Sequence, residues 1–371
     1  MKEIGLSNFV KEVTENKRDL FFVSSVNYER RSLEWLKIVK KIIFQNKVHK
    51  LLHLYRLSIE NPQTISILNE KIHSQEIEYN EQINIIRKRI DSDKVNIKLS
   101  DSTKPLFLGN LPDVNKMITD LQKNSNLEQP FLIVFDITAL PRRVILLVME
   151  TFTRLIEEKK VNALYILYTW PLRYPVAGRS TNTGSFRVEN SKVPLSEFLD
   201  DVNEIHGIMT AGRDGSIGRL FLESMQPRTK VDFFFYVKKD DYLYALNNML
   251  NNSNVFSYID KNSSTTVNYY LSISRGYETI MNKVKSILGE WNASKIGGMS
   301  RALLIAPLGP KPMMITAFIG ARYADLFFKK NSLNYKSGIA HVTSLQQNDL
   351  YSIGMKETSC YRIKIEDLLG E

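Results

Sequence analysis

Residues 132–152 read LIVFDITALPRRVILLVMETF: an apolar run, a turn with one proline and two arginines, and an apolar stretch of helical period. Residues 303–324 read LLIAPLGPKPMMITAFIGARYA and repeat that order, with a Gly/Pro turn that carries one lysine. A continuously apolar strand followed directly by a helix is typical of parallel sheets covered on both faces. The two stretches therefore predict two α/β units built in the same way.

The rest of the chain follows the same alternation of strands and helices. Short apolar or aromatic runs predict strands at residues 20–25, 49–57, 95–99, 131–136 and 163–169, and again at 206–211, 231–237, 268–273, 302–306 and 338–343. Corresponding strands are about 171 to 186 residues apart, which indicates a duplicated domain because the period is far too long for a solenoid repeat. We expect two tandem Rossmann-like, doubly wound parallel sheets related by internal duplication: a first half at 1–177, a linker at 178–204 and a second half at 205–371.

Composition limits the class of protein. The 371 residues are 43% hydrophobic, enough to fill real cores. A single cysteine, Cys360, excludes intramolecular disulfides and cysteine-based zinc clusters, as is common in reducing compartments. Neither an apolar leader at the N-terminus nor a run of about 20 uncharged residues is present, so we expect a cytoplasmic protein that does not associate with membranes.

The charge balance favours an anionic partner. Fifty basic residues face 40 acidic ones, for a formal net charge of +10, and such an excess attracts nucleic acid, nucleotides or acidic proteins. The basic residues are spread along the chain with no block of five or more, so most of them fit a solvated surface better than a DNA-binding groove.

In doubly wound sheets, ligands bind beyond the carboxyl ends of the strands, where the strand order reverses between the first and fourth strands. In the first half, the loop after strand one contains Tyr28 and Arg30. They are candidates for contact with a base or phosphate, and the alternative is a helix capped by Ser and Asn with a surface Glu/Arg pair.

The loop after strand four of the first half begins at Asp136 and continues through Thr138 to Arg142. An acid at the end of a buried strand is costly unless it is paired or lies in the crevice. Asp136 could bind a ribose hydroxyl or hold an arginine in place. Thr138 is a candidate cap for the helix that Pro141 opens, and Arg142 either contacts the ligand or faces solvent.

The corresponding loops of the second half are rich in glycine. The first, AGRDGSIGR at 211–219, opens a helix and makes Arg213 and Ser216 candidates for phosphate contact, although it matches neither the dinucleotide nor the Walker A motif. In the second, Gly309 allows close approach of the backbone and Lys311 supplies a charge beside a helix start. The alternative in both places is an ordinary surface turn.

The element from strand to PLGPK turn to apolar helix resembles the strand, TGGTK-type turn and helix of CRISPR-associated Rossmann-fold (CARF) domains. Two such domains in one chain resemble the SAVED architecture of cyclic-oligonucleotide sensors. The resemblance implies a sensor of a cyclic or linear oligonucleotide in bacterial antiviral defence, with an effector protein as a possible partner. It also implies that Lys311, Gly309, Thr138 and Arg142 face the ligand from two pseudo-symmetric halves, at the join between them.

Common catalytic motifs are absent from the sequence: there is no HExxH, GxSxG or Walker A, and the five histidines form no obvious cluster. No metal site and no particular cofactor are predicted. Three hypotheses remain: a nucleotide sensor; an enzyme acting on a nucleotide or nucleic-acid end, with Asp136 as acid/base or metal ligand and Arg213 and Lys311 stabilising charge; and a basic module that binds nucleic acid or an acidic protein.

Overall fold

The computed structural model describes residues 1–16, 18–26, 30–45, 52–57, 66–93, 97–101, 130–172, 183–212, 215–225, 229–237, 241–259, 265–294, 299–344 and 355–370. They belong to two compact units. One unit comprises residues 2–178 and 347–365, and the other comprises residue 1, residues 179–346 and residues 366–371. Each unit is built around one seven-stranded sheet.

Strands and helices alternate through both units. The strands are β1 (Lys2–Ile4), β2 (Leu20–Ser25), β3 (Leu52–Leu57), β4 (Ile97–Asp101), β5 (Phe131–Asp136), β6 (Val161–Thr169), β7 (Thr183–Val188), β8 (Val193–Pro194), β9 (Glu204–Thr210), β10 (Thr229–Tyr236), β11 (Thr265–Tyr270), β12 (Arg301–Pro307), β13 (Lys336–Ser344) and β14 (Thr358–Ile363). The helices are α1 (Leu6–Glu15), α2 (Glu34–Gln45), α3 (Ser66–Asp93), α4 (Arg142–Glu157), α5 (Leu195–Leu199), α6 (Gly215–Ser224), α7 (Tyr242–Asn251), α8 (Ser253–Ile259), α9 (Ile273–Ala293), α10 (Pro312–Lys330) and α11 (Ile365–Leu369). A 3₁₀ turn at Arg30–Leu33 precedes α2.

The two sheets share one strand order. The first runs β1-β14-β6-β5-β2-β3-β4, and the second runs β11-β10-β9-β12-β13-β7-β8. Counted along the chain, the five predicted strands of each half lie in the order third, second, first, fourth, fifth. All pairings among these five strands are parallel. The predicted fold class, two Rossmann-like α/β halves, is therefore confirmed.

Both sheets are sandwiched between helices, as their continuously apolar strands require. In the first sheet Phe22 and Val134 belong to a core cluster shared with α1, α2 and α3. The opposite face carries Phe135, whose ring meets Phe152 of α4 edge-on at 5.3 Å. Among the described residues, no helix has both the length and the apolar composition needed to cross a bilayer.

Two antiparallel strands depart from the predicted division of the chain. β7 follows β6 in sequence but pairs antiparallel with β13 of the second sheet, whereas β14 follows β13 and pairs antiparallel with β6 of the first sheet. The range 178–204, predicted as a linker, thus contains β7, β8 and α5, and the predicted second half contains a strand of the first sheet. Such strands lack the long apolar run of the central strands, and tertiary contacts set which strand each of them pairs with.

Candidate functional site

The strand order reverses at the same place in each sheet, between β2 and β5 in the first and between β9 and β12 in the second. The carboxyl ends of these strand pairs are where doubly wound sheets bind ligands. We call them the first edge and the second edge. The corresponding loops of the two edges make different hydrogen bonds.

The second edge is closed by the protein itself. Thr210 is the last residue of β9 and pairs with Pro307, the last residue of β12. Two residues after Pro307, the backbone amide of Gly309 donates a hydrogen bond to Thr210 Oγ1 at 3.0 Å. The hydroxyl at the end of the first strand is thus bonded to the loop after the fourth strand, directly across the reversal point.

Two glycines allow the loops of the second edge to pack against each other. A Cβ atom on Gly309 would lie 2.9 Å from the carbonyl oxygen of Ala211, and one on Gly212 would lie 2.7 Å from the carbonyl oxygen of Leu308. Real Cβ atoms essentially never come this close to backbone, so the two loops pack together only because both residues are glycine. The close approach that the sequence suggested for a phosphate is made here by the chain's own backbone.

The first edge has a different arrangement. Val23 of β2 pairs with Phe135 of β5, so Ser24 occupies beside Asp136 the position that Thr210 occupies beside Pro307. The loop after β5, however, folds back on its own strand. The amide of Thr138 donates to Asp136 Oδ1 at 3.0 Å, and its hydroxyl donates to the same oxygen at 2.5 Å. Neither group reaches across to Ser24.

The end of β2 therefore carries buried hydroxyls without bonds. Ser24 is 0% exposed and Ser25 is 1% exposed, and within the described part of the chain neither Oγ atom has a hydrogen-bond partner. Burying an unpaired hydroxyl costs about 1–3 kcal/mol in protein mutational data. Unpaired hydroxyls at the edge where this fold binds ligands indicate hydrogen bonds to a ligand or to water.

Among the described residues, a third buried donor without a bond belongs to Trp35, on the helix that packs against β2. The indole of Trp35, on α2, stacks on Phe22 with ring centroids 5.3 Å apart. Phe22 precedes Ser24 by two residues, so the two side chains project from the same face of the sheet. Trp35 Nε1 is buried and, among the residues described, has no acceptor. The indole N–H can only donate, so an acceptor-rich ligand would satisfy it.

A network of buried polar groups holds the first edge in shape. Thr138 Oγ1 accepts a hydrogen bond at 2.9 Å from the amide of Thr169 at the end of β6. The carbonyl oxygen of Thr169 accepts one at 2.7 Å from Arg31 Nη1. Arg31 is 1% exposed, and its guanidinium lies 5.6 Å from the centroid of the Tyr168 ring. The network links the ends of β5 and β6 to the 3₁₀ turn after β2, and it buries a positive charge there.

The predicted residues of the first half occupy the following places. Arg30 is exposed at the first position of the 3₁₀ turn, and Arg142 is half-buried at the first position of α4. Asp136 and Thr138 bond to each other. Thr138 was expected to cap a helix, but α4 begins four residues later without a side-chain cap, because the Thr138 hydroxyl is engaged by Asp136 and Thr169. Tyr28 lies outside the described residues.

In the second half, Gly309 is bonded to Thr210, as described above. Lys311 is half-buried directly before α10, as predicted from the turn, and Ser216 is exposed in the first turn of α6. Arg213 lies outside the described residues.

Sequence reasoning missed the residues that distinguish the two edges. Ser24 and Ser25 end the predicted strand 20–25, which matches β2, but serine was considered there only as a helix cap. Arg31, Trp35 and Thr210 were not proposed as site residues. Comparing the two halves position by position, Ser24 with Thr210, would have brought out the first pair, because the duplication predicts equivalent positions.

A second polar cluster lies within the other unit, on β9, β10, β11 and α9. Asp232 Oδ2 lies 2.6 Å from His206 Nε2, and Asp232 Oδ1 lies 3.1 Å from Lys283 Nζ and accepts a hydrogen bond from Thr266. Burial alone raises the pKa of Asp232, but the bonds from His206, Thr266 and Lys283 outweigh burial and hold it below its ordinary value. The members of this cluster bond to one another, which fits a structural role.

Across the described ranges, no group of three or more His, Cys, Asp or Glu side chains is arranged to hold a metal ion.

Comparison with known proteins adds no relative: no family model matches the chain, and no curated protein matches it.

Proposed function

We propose that this protein binds a nucleotide-type anionic ligand at the first edge, at the carboxyl ends of β2 and β5. The observation that carries the proposal is the difference between the two edges. Thr210 is bonded to Gly309 across the second edge, while the equivalent Ser24 and its neighbour Ser25 are buried without bonds. Since both halves share one strand order, the unpaired hydroxyls favour the first edge as the place for a ligand's hydrogen bonds.

The groups at the first edge favour an anion. The hydroxyls of Ser24 and Ser25 can donate, and Trp35 Nε1 can only donate. Arg30 begins the turn after β2, and Arg142 begins α4, whose N-terminus carries partial positive charge. Phosphate oxygens accept hydrogen bonds and carry negative charge, so a phosphate group suits donors and cations of this kind. Nucleotides are the ligands most often bound at this point of a doubly wound sheet.

The wider role that we propose is that of a sensor or regulatory subunit in bacterial antiviral defence, acting in the cytoplasm. It rests on the resemblance of the PLGPK element to CARF domains, in which an oligonucleotide second messenger is the ligand. In this role the ligand signals to a separate effector protein. The excess of basic residues supports an anionic ligand through long-range attraction.

Thermal unfolding of the full chain with a panel of ligands tests the proposal. The panel comprises inorganic phosphate, mononucleotides, dinucleotides, cyclic oligonucleotides and short DNA. A ligand that binds only the folded state stabilises it by about 2.7 kcal/mol at a hundred times its Kd, so we expect one nucleotide class to raise the melting temperature. If no nucleotide does so, and short DNA binds with a steep dependence on salt, the proposal is wrong and the protein is a basic interaction module.

A further inference from the structure

An apolar surface lies on the unit that contains the second sheet. It consists of exposed large side chains on α7, on β11 and directly after β11, which are Leu243, Leu246, Met249, Leu250, Val267, Tyr269 and Leu271. Their exposed fractions run from 38% at Leu246 to 72% at Tyr269. We call this set the α7/β11 surface.

The two elements of this surface adjoin the same residue. Tyr236, at the end of β10, meets Tyr244 of α7 edge-on, with ring centroids 5.6 Å apart. It also stacks on Tyr270 of β11 at 5.2 Å. Tyr236 thus places the start of α7 near the end of β11. Exposed apolar surface of this kind commonly marks a site of interaction with another protein.

This region is also unusually poor in charge. Residues 242–271 contain only two charged side chains, Asp260 and Lys261, whereas 24% of the whole chain is charged. The centres of protein interfaces are depleted in charged residues in the same way. An anionic or acidic partner would find little to bind here, so the surface fits an uncharged, apolar partner surface.

Among the described residues, β11 is the outermost strand of its sheet and pairs with β10 on one side. Its sequence, TTVNYY, contains no charge and no proline. Edge strands usually carry a charge or a proline, since an edge without them is a template for pairing with another strand. The strand at the other end of the described sheet, β8, has only two residues. The sequence of β11 therefore points to a strand-pairing partner.

We propose that the partner is a second copy of this chain, with the two β11 strands paired antiparallel about a two-fold axis. Two molecules of net charge +10 repel one another, and a nearly uncharged patch is where that repulsion opposes contact least. A strand paired with its own copy presents the same residues on both sides, as a two-fold interface requires. The exposed area of the seven side chains is on the order of 700 Å², against about 800 Å² from each partner in a standard interface.

Sedimentation of the full chain over a concentration series into the micromolar range tests this proposal. We expect the mass to rise from one chain toward two. Leu250→Lys and Tyr269→Lys each place a charge at the centre of the surface and should weaken dimerisation at least tenfold. Both side chains are well exposed, at 62% and 72%, so the variants should fold. Matching melting temperatures and circular dichroism check this, and Leu243→Lys, at 68% exposed, repeats the test on another turn of α7.

Leu172→Lys is the matched control. Leu172 is 62% exposed, as Leu250 is, but lies in the other unit, so this variant should associate like the wild type. A wild-type protein that keeps the mass of one chain throughout would overturn the proposal in favour of a different partner. Lysine variants that dimerise as well as the wild type would overturn it too.

Discussion

Gly309 donates its backbone amide to Thr210 Oγ1 across the second edge, and the loop of the first edge makes no such bond to the equivalent Ser24 among the described residues. In the first half the amide of Thr138 bonds instead to Asp136, two residues before it. The carboxylate of Asp136 therefore holds the loop after β5 against its own strand. At the end of β12, Pro307 has no side-chain acceptor that could hold its loop in this way. The two edges thus differ in their loops: the second is closed by the bond from Gly309 to Thr210, and the first, within the described part of the chain, leaves the buried hydroxyls of Ser24 and Ser25 unpaired.

Thr210→Val should destabilise the protein. Valine keeps the shape of threonine, but the amide of Gly309 loses its acceptor, and a buried unpaired amide costs about 1–3 kcal/mol. The melting temperature measures the loss. Ser24→Ala is the control: it removes a hydroxyl that has no bond to lose, so it should leave the melting temperature unchanged or raise it. Equal losses in both variants would contradict the proposed difference between the edges.

Gly212→Ala should also lower the melting temperature. The new Cβ would lie 2.7 Å from the carbonyl oxygen of Leu308, so the loops of the second edge must separate. Gly289→Ala is the matched change in α9, where a Cβ meets nothing within 4 Å, and it should stabilise the helix by up to about 1 kcal/mol. If Gly212→Ala were as harmless as Gly289→Ala, the loops would not be packed as described.

Two substitutions test the role of the Thr138 hydroxyl. One removes the hydroxyl and keeps the shape of the side chain, and the other keeps the hydroxyl. Thr138→Val leaves the amide of Thr169 without its acceptor and removes the hydrogen bond from the Thr138 hydroxyl to Asp136. The free energy of unfolding should therefore fall by about 1–3 kcal/mol. Thr138→Ser keeps the hydroxyl and should lose less. The free energy of unfolding in urea measures both. A valine variant as stable as the serine variant would show that the hydroxyl network does not hold the first edge.

Asp232 predicts a pH dependence with a definite sign. Its pKa is held below the usual 3.8, so its carboxylate stabilises the fold at neutral pH, and this stabilisation is lost as the pH falls below about 4. Asp232→Asn should be less stable than the wild type at pH 7 and lose less stability on acidification. Unfolding in urea from pH 7 to pH 3 measures this.

Glu223→Gln is the control for that experiment. Glu223 is 44% exposed in an i,i+4 pair with Arg219, and such exposed pairs contribute about 0.3–0.5 kcal/mol. Its pH profile should match that of the wild type. If Asp232→Asn kept the wild-type profile as well, the buried cluster around His206 would not be charged as described.

The repeat of strand, turn and helix allowed the ten central strands to be predicted, because buried parallel strands are continuously apolar. The start of β5 was predicted at Phe131 and is observed there. The antiparallel strands β7 and β14 were not predicted as members of the sheets. Their sequences contain polar residues between the apolar ones and carry no signal for a partner far away in the chain.

The candidate site was predicted only in position. The loops after the first and fourth strands were identified correctly as the place where the strand order reverses. Which glycine would face a ligand could not be predicted, because the same residue suits a phosphate or a neighbouring backbone, and Gly309 faces Ala211. That Ser24 lacks a bond depends on how the Thr138 loop turns, which is a property of the folded chain.

The measurement to make first is the ligand-induced thermal shift of three proteins with the same nucleotide panel: the wild type, the double variant Ser24→Ala, Ser25→Ala, and Thr210→Val. If the first edge binds the ligand, the wild type and Thr210→Val should show a similar shift with one nucleotide class, and the double variant should lose most of it while folding normally. A shift that survives in the double variant, or disappears in Thr210→Val, would place the ligand elsewhere and contradict the assignment.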